Sequence, residues 1–496
     1  MLNVSKIMKK LHALSIILLL ICSVGFAQKS AYKLKMKING MQDSTCFLIN
    51  YFGNQRYYKD TAQFNSSGNI VFEGEEALPP GIYGVYTGGK LLFALVINEN
   101  YIELETDTTD FIKNLKIKKS EENQLFFEHL FLVNEKQAES KILRDKLSLE
   151  TTSDKEKKEI EDRLIAIGKE INDYRLSVIK EHPNSFSALI YRTMKEPEIP
   201  DFAEEKNDSI VKLLKYEYLK KHFFDDVDFS DSRINNTPLY HNKLEKYFKH
   251  IVLPIPDSIN KEADYVIEKA KANPDIFKYT VHYLINKYER SKIMGMDAVF
   301  AHLALKYYTH DLAFWVDSTQ IEKVQERARK LQPLLIGKTA TNLSLLDTSG
   351  KKWINMHNLK CDYTVLVFWD PNCGHCKKEM PLLAQYFDTI KDKQSVRVYA
   401  VSSKSDRQWV RFIMDNNLDF DNVAVPQDVY EKQEKATEYI MKGYTDLQSL
   451  NYHDTYDIVS TPQIYLLDKN KKIIAKKLSV DLLKEVLGKE FEKQKK

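Results

Sequence analysis

The residues of this 496-residue chain that are best suited to chemistry are Cys373 and Cys376, which are separated by Gly374 and His375. The β-branched and aromatic run 363–369 comes just before them, and a helical pattern follows. Two cysteines with this spacing at a helix N-terminus lie within disulfide reach, and the helix dipole stabilises a thiolate on the first. The spacing predicts thiol–disulfide exchange, with Cys373 as nucleophile and Cys376 as the cysteine that resolves the mixed disulfide.

Other residues near this pair are expected to contact the substrate. A protonated His375 would further stabilise the Cys373 thiolate. We interpret Thr461-Pro462 as a cis-proline turn that faces the cysteines, with the backbone of Thr461 holding the substrate chain. A trans proline on an edge strand is the alternative. The predicted substrate-binding residues are Trp369, His375, Thr461 and Pro462.

Three further questions about the cysteines have alternative answers. The Cys373–Cys376 pair could be half of a zinc site, although no second Cys or His pair stands at zinc spacing. Cys361 lies twelve residues before Cys373, and we favour an inert thiol there over a regulatory partner. Cys46 lies alone in a strand pattern, which favours a small buried hydrophobic residue over a redox role.

The elements that must position these residues occupy 336–496. Their order is strand, helix, strand, helix, followed by two strands and a closing helix, and the cysteine pair stands at the first junction of strand and helix. This order is the α/β thioredoxin arrangement. Pro381 is expected to kink the helix after the cysteines, and 431–442 is predicted to be a helical insertion that contacts a partner or covers the site.

Region 336–496 resembles the TlpA/ResA group of thiol-disulfide oxidoreductases, which belong to the thioredoxin superfamily and lie near the AhpC/TSA-type redoxins. The resemblance rests on the motifs at 336–337, 368–369, 373–381 and 460–464. It implies a role for a carboxylate three residues after the second cysteine, a position held by Glu379. That carboxylate could relay a proton to or from Cys376, or it could be an ordinary acid in the first turn of a helix.

Three departures from thioredoxin qualify the resemblance. Thioredoxin's buried Asp corresponds to Val367, and its Trp before the first cysteine corresponds to Asn372. The Gly-His pair between the cysteines resembles disulfide isomerases rather than reducing thioredoxins, which makes a more oxidising potential plausible. The direction of the reaction therefore stays open. A link to cytochrome c biogenesis follows from the family alone.

Two further regions precede the thioredoxin-like one. Period-two patterns in 28–115 predict a small antiparallel β sandwich or open barrel. Helical periodicity and caps in 120–333 predict roughly eight helices. The acidic stretch 225–228 lacks the glycine and terminal glutamate of a calcium loop, so we interpret it as a solvated loop. His302 and His310 have no carboxylate or Cys between them in the sequence, so a metal site there is not favoured.

Residues 1–27 have the pattern of a signal peptide. Three lysines precede an apolar run, and cleavage is expected after Ala27. An uncleaved anchor and lipidation at Cys22 are the alternatives, but the run is short for a spanning helix and Cys22 lacks the preceding small residue. The prediction places the mature protein in the periplasm or cell envelope. Those lysines account for the whole net charge of +3, and a near-neutral chain argues against nucleic-acid binding.

The sequence thus predicts an envelope oxidoreductase that reduces disulfides in protein substrates without a bound cofactor. A membrane-linked thiol reductant is expected as its electron donor, and the oligomeric state is not predicted. Isomerase or oxidase activity is the first alternative. A peroxiredoxin-like peroxidase is disfavoured, because Asp370 and Asn358 stand where that chemistry needs Pro before Cys373 and Cys361. A binding protein with a thioredoxin-like docking domain is the last alternative.

Overall fold

The structure is a computed structural model that describes residues 31–494. The chain divides into two compact units between Ile251 and Val252. The predicted signal peptide 1–27, with Cys22, lies outside the described residues. The unit boundary falls inside the region 120–333 that the helical pattern groups together, so the division into three sequence regions stays a prediction.

The first unit begins with two four-stranded sheets, ordered β4-β1-β7-β8 and β3-β2-β5-β6. Leu34, Met36 and Ile38 of β1 are buried while the lysines between them are more exposed, which is the predicted period-two pattern. Strands β1 and β7 pair in parallel, a feature that the strand pattern did not reveal. The strands are β1 Tyr32–Asn39, β2 Thr45–Phe52, β3 Gln55–Gln63, β4 Asn69–Gly74, β5 Gly81–Thr87, β6 Lys90–Ile97, β7 Tyr101–Asp107 and β8 Lys116–Lys119.

Residues 121–331 form nine α-helices, five in the first unit and four in the second. Helix termini follow local sequence signals: Ser153 and Glu156 form a capping box, and Asn273 caps a helix that starts at Pro274. The helices are α1 Glu121–Leu147, α2 Asp154–Glu181, α3 Phe186–Met194, α4 Asp208–His222, α5 Pro238–Lys246, α6 Pro256–Ala270, α7 Pro274–Glu289, α8 Asp297–Tyr307 and α9 Ser318–Leu331.

The second unit continues into a seven-stranded sheet of order β10-β9-β13-β12-β11-β14-β15. Strands β11, β12 and β13 are parallel, and β14 is antiparallel to β11. The strands are β9 Ser344–Asp347, β10 Trp353–Asn355, β11 Tyr363–Trp369, β12 Val396–Ser402, β13 Asp421–Ala424, β14 Gln463–Leu467 and β15 Ile473–Lys476. The predicted multidomain fold, with N-terminal sheets, a helical region and a C-terminal thioredoxin-like sheet, is confirmed.

Helices cover this sheet, and the predicted insertion 431–442 is largely helical. The helices are α10 Gly374–Ile390, α11 Arg407–Asp415, α12 Gln427–Glu431, α13 Gln433–Met441, α14 Leu447–Leu450, α15 Tyr452–Thr455 and α16 Val480–Gln494. Every residue of β11 is buried, with Val365 and Val367 in one core and Leu366 and Phe368 in another. Burial on both faces explains why the strand is an uninterrupted apolar run.

Candidate active site

The redox pair stands where β11 passes into α10. Cys373 is the N-cap residue of α10, with extended backbone angles, and its carbonyl accepts the Lys377 N–H at 3.0 Å. Its side chain makes no capping hydrogen bond. The sulfur therefore lies at a helix terminus whose N–H groups lack partners within the helix and favour negative charge.

The environment of Cys373 favours its thiolate. The pKa of the Cys373 thiol lies below its ordinary value, chiefly because the sulfur interacts with the backbone N–H of Cys376, and the N–H of His375 adds to this effect. Cys373 is partly exposed, so a substrate disulfide can reach it. In the thiol form its Sγ donates to the carbonyl of Thr461 at 3.4 Å. The first cysteine thus combines access with a lowered pKa, as a nucleophile requires.

Cys376 has the opposite environment. It is completely buried, and burial raises the pKa of its thiol to about 11. The backbone N–H of Asp370 donates to its sulfur at 3.4 Å. Both cysteines are free thiols, so the structure shows the reduced pair. The contrast in exposure and pKa is the arrangement that the sequence predicted for a nucleophilic and a resolving cysteine.

The Thr461-Pro462 bond is cis, as predicted. Together with His375 and Glu379, these residues line an open cleft of about 650 Å³. The structure therefore brings together three of the four predicted substrate-binding residues beside the reactive sulfur. Val459, 80 % exposed, adds an apolar side chain to the same cleft.

Trp369 does not join this group. Its side chain is 1 % exposed and packs against Phe412 with ring centroids 5.2 Å apart. It shares the core with Val365 and Val367, because alternate residues of a strand point to the same face. The prediction of a substrate contact by Trp369 is therefore corrected: its side chain supports the site from within the core.

Glu379 lies on α10 one turn after Cys376 and is half-buried. Its Oε2 accepts the backbone N–H of Val480 at 3.1 Å, at the first residue of α16. A carboxylate at a helix N-terminus satisfies an N–H group that the helix leaves free. One oxygen of Glu379 thus has a structural partner, while its side chain also lines the cleft.

Asp370 is a site residue that our reading of the sequence did not identify. Its carboxylate accepts the Asn372 N–H at 2.7 Å and the Ser403 hydroxyl at 2.5 Å, while its own N–H reaches Cys376. It thereby orders the loop between β11 and α10. The Asp-Pro-Asn sequence is a turn signal that could have indicated this role.

The other two described cysteines lie away from the pair, and both are free thiols. Cys46 is buried in β2. Cys361 precedes β11, and its Sγ lies 3.3 Å from the Thr364 hydroxyl and 3.7 Å from Nζ of Lys471. Lys471 is 4 % exposed and also donates to the carbonyl of Leu359 at 2.9 Å. The surroundings of Cys361 are therefore polar, in contrast to the apolar strand around Cys46.

Within 31–494 no group of three or more His, Cys, Asp or Glu side chains is arranged to hold a metal ion. No helix in the described part of the chain is long and apolar enough to cross a membrane.

Three family models match separate segments of the chain. Residues 336–476 match the AhpC/TSA family. Residues 151–333 match a domain of unknown function (DUF5106), and residues 32–126 match another (DUF4369). The segment with a named family is thus the one that contains both reactive cysteines.

The curated relatives are thiol-disulfide oxidoreductases. A ResA of Bacillus cereus is 29% identical over 146 residues, which are 29% of this chain and 70% of that protein. ResA of Bacillus subtilis is 29% identical over 139 residues, 28% of this chain and 64% of that protein. Among solved structures, a domain of a possible thiol-disulfide isomerase from Cytophaga hutchinsonii is 34% identical and covers 33% of this chain and 98% of its own, with a TM-score of 0.27.

Proposed function

We propose that this chain, a TlpA/ResA-like thiol-disulfide oxidoreductase of the thioredoxin superfamily, reduces disulfide bonds in protein substrates of the cell envelope. The observation that carries the proposal is the asymmetry of the pair. Cys373 is accessible with a lowered pKa, whereas Cys376 is buried with a raised one. The signal-peptide pattern in 1–27 supports the envelope location.

The first step is attack by the Cys373 thiolate on one sulfur of the substrate disulfide. A bond forms between that sulfur and Cys373, and the second substrate sulfur leaves as a thiolate. The carbonyl of Thr461 lies 3.4 Å from Cys373 Sγ, so a substrate chain along the Thr461-Pro462 turn would bring its disulfide to the attacking atom. His375 and Pro462 line the same cleft and would contact that chain.

The second step regenerates the free substrate. Cys376 loses its proton and attacks the Cys373 sulfur, which forms the Cys373–Cys376 disulfide and releases the remaining substrate sulfur as a thiolate. Two electrons have then passed from the pair to the substrate. Burial keeps Cys376 protonated until this step, so a proton acceptor must act close to it. Glu379, on the same face of α10, is our candidate for that role.

The oxidised pair must then be reduced before another cycle. We assign this step to a membrane-linked dithiol reductant. One of its thiolates would attack the partly exposed Cys373 sulfur and release Cys376, and its second thiolate would then displace Cys373. The reductant is left with a disulfide, and both cysteines are thiols again. The reaction requires no bound cofactor, because the two cysteines hold both electrons themselves.

Two serine variants test the mechanism. Cys373→Ser should abolish insulin reduction in the presence of dithiothreitol, because the attacking sulfur is gone. Cys376→Ser should accumulate mixed disulfides with the substrate, because the resolving thiol is gone, and mass spectrometry of the captured protein would identify that substrate. Wild-type reduction rates in both variants would contradict the proposal.

Disulfide isomerisation is the second candidate, and the Gly374-His375 dipeptide between the cysteines favours it. Thioredoxin has a potential of about −270 mV, and protein disulfide isomerase has one of about −180 mV. Equilibration of the pair with glutathione would measure the potential of this protein. A value near −270 mV supports the reductase, and a value near −180 mV supports the isomerase.

A further inference from the structure

The cleft beside Cys373 is built by more than the thioredoxin-like fold. Arg327 of α9 lines it together with His375 and Glu379 of α10, the turn at Thr461-Pro462 and the segment 477–479. Helix α9 belongs to the segment that precedes the redox domain in the sequence, and both lie in the second compact unit. The helical segment therefore contributes one arginine side chain to the cleft in which a substrate chain would lie.

The guanidinium of Arg327 is held in place but remains accessible. It forms an ion pair with Glu289 of α7 and lies over the ring of Phe300 of α8, 5.5 Å from the centroid. The side chain is 44% exposed. The pair with Glu289 involves Nη1, and a guanidinium carries five N–H donors in a fork that suits carboxylates.

Contacts within the second unit hold helices α8 and α9 in place. Lys476 at the end of β15 is 2 % exposed, and its ammonium pairs with Asp297 of α8 and donates to the Leu334 carbonyl at 2.5 Å. Lys330 of α9 pairs with Asp454 at 2.6 Å. Arg327 therefore does not depend on a loose linker for its position beside the cleft.

The charges are unevenly distributed along the cleft. Arg327, Lys477 and Asp457 also line a smaller adjoining cavity, whereas His375 and Glu379 do not. Four cations and three carboxylates line that adjoining cavity, Glu289 included, so a net positive charge remains at the Arg327 end. At the other end, one oxygen of Glu379 is already occupied by the Val480 N–H. An acidic side chain on a bound polypeptide would find its complement at the Arg327 end.

We propose that Arg327 is a specificity-determining residue that binds an acidic side chain flanking the disulfide of the substrate polypeptide. The inference rests on the proposed function, because the occupant of the cleft is the chain whose disulfide Cys373 attacks. A small disulfide needs no contact beyond the cysteine pair, so its reduction should not depend on Arg327.

The test uses the full chain and two synthetic peptides with the same internal disulfide, one flanked by Glu-Glu and the other by Lys-Lys. Wild-type protein should have the higher kcat/KM for the Glu-Glu peptide. Arg327→Glu should lower kcat/KM for this peptide roughly tenfold and raise it for the Lys-Lys peptide, because an attraction becomes a repulsion. Reduction of a small uncharged disulfide, dithiodipyridine, should stay within twofold of wild type.

Lys323→Glu is the matched control, since it makes the same charge change at an exposed position of α9 outside the cleft. If Arg327→Glu and Lys323→Glu alter the peptide preference equally, or if neither alters it, the proposal is wrong. Loss of dithiodipyridine reduction in Arg327→Glu alone would also overturn it, because Arg327 would then act on the redox pair or the fold. If wild-type protein reduces neither the peptides nor dithiodipyridine, the proposed function fails as well.

Discussion

The two ends of strand β11 each place a cysteine beside hydrogen-bond donors, yet these donors differ in kind. At the C-terminal end, backbone N–H groups of α10 act on Cys373, and a second cysteine follows within one helical turn. At the N-terminal end, Cys361 lies 3.7 Å from the ammonium of Lys471. The N–H groups of the helix terminus act on one partly exposed sulfur, whereas the ammonium of Lys471 is shared among three acceptors.

This difference shows what a redox site requires beyond positive charge. Nζ of Lys471 donates to the Leu359 carbonyl at 2.9 Å and to the Thr364 hydroxyl at 2.8 Å, so it holds the start of β11 in place. Cys361 also has no partner thiol among the described cysteines. We therefore interpret the Lys471 end as structural and the α10 end as chemical.

Alkylation rates should give the largest contrast. At pH 7 we expect iodoacetamide to label Cys373 at least roughly 100-fold faster than Cys376, because a thiol of pKa about 11 is ionised in only about one molecule in ten thousand at that pH. Because the pKa of Cys373 is lowered, its labelling rate relative to glutathione should increase as the pH falls from 8 to 6. Mass spectrometry of quenched samples measures each rate.

Cys361 is the internal comparison in the same samples. It lies at no helix N-terminus, so we expect its labelling to lag behind that of Cys373 throughout this pH range. Equal rates at Cys361 and Cys373 would break the distinction between the two ends of β11.

A change in stability should give the next largest effect. Thr364 is completely buried, and its hydroxyl bonds with both Lys471 and Cys361. Thr364→Val keeps the shape but removes these partners, so we expect the unfolding free energy of the second unit to fall by about 1–3 kcal/mol. All four tryptophans lie in that unit, so their fluorescence during urea unfolding reports on it alone.

Thr389→Val is the control for this variant, because the Thr389 hydroxyl bonds only to its own helix in an exposed position. If the unfolding free energy falls by similar amounts in both variants, the hydrogen bonds of Thr364 to Lys471 and Cys361 contribute little to stability. Disulfide reduction should be unaffected in either protein, since neither threonine lies at the redox pair.

Cys361→Ser should give the smallest effect. A serine hydroxyl can replace the thiol beside Thr364, so we expect insulin reduction to stay within twofold of wild type. A large loss of activity would show instead that Cys361 takes part in the redox cycle as a regulatory partner.

Local sequence signals were sufficient to predict the centre of the site. Each signal specifies geometry within a few residues: the apolar run of β11, the Cys-x-x-Cys spacing and the proline at 462. The structure brings Cys373 and Thr461 together, as expected from these signals. The prediction of a substrate contact by Trp369 was wrong because it assumed that the last residue of a strand is exposed. The run 363–369 already indicated burial on both faces, and Trp369 shares the face of Val367.

Features that depend on distant residues could not be predicted. Strand β3 is one such feature: Tyr57 and Tyr58 are 51% and 70% exposed, so no buried face marks this strand in the sequence. The contact between Arg327 and the redox cleft joins segments that lie far apart along the chain. Neither periodicity nor a motif encodes such a pairing, because each segment alone is an ordinary helix or turn.

The buried pair between Lys476 and Asp297 has a practical consequence for preparing fragments of this protein. A fragment that begins at residue 336, where the AhpC/TSA match starts, would contain Lys476 without Asp297 or the Leu334 carbonyl. The cut would also remove Leu334, which is 1 % exposed in the core that contains Leu366 and Phe368. A fragment that begins at residue 252 keeps both partners and is the better starting point for expression and crystallisation.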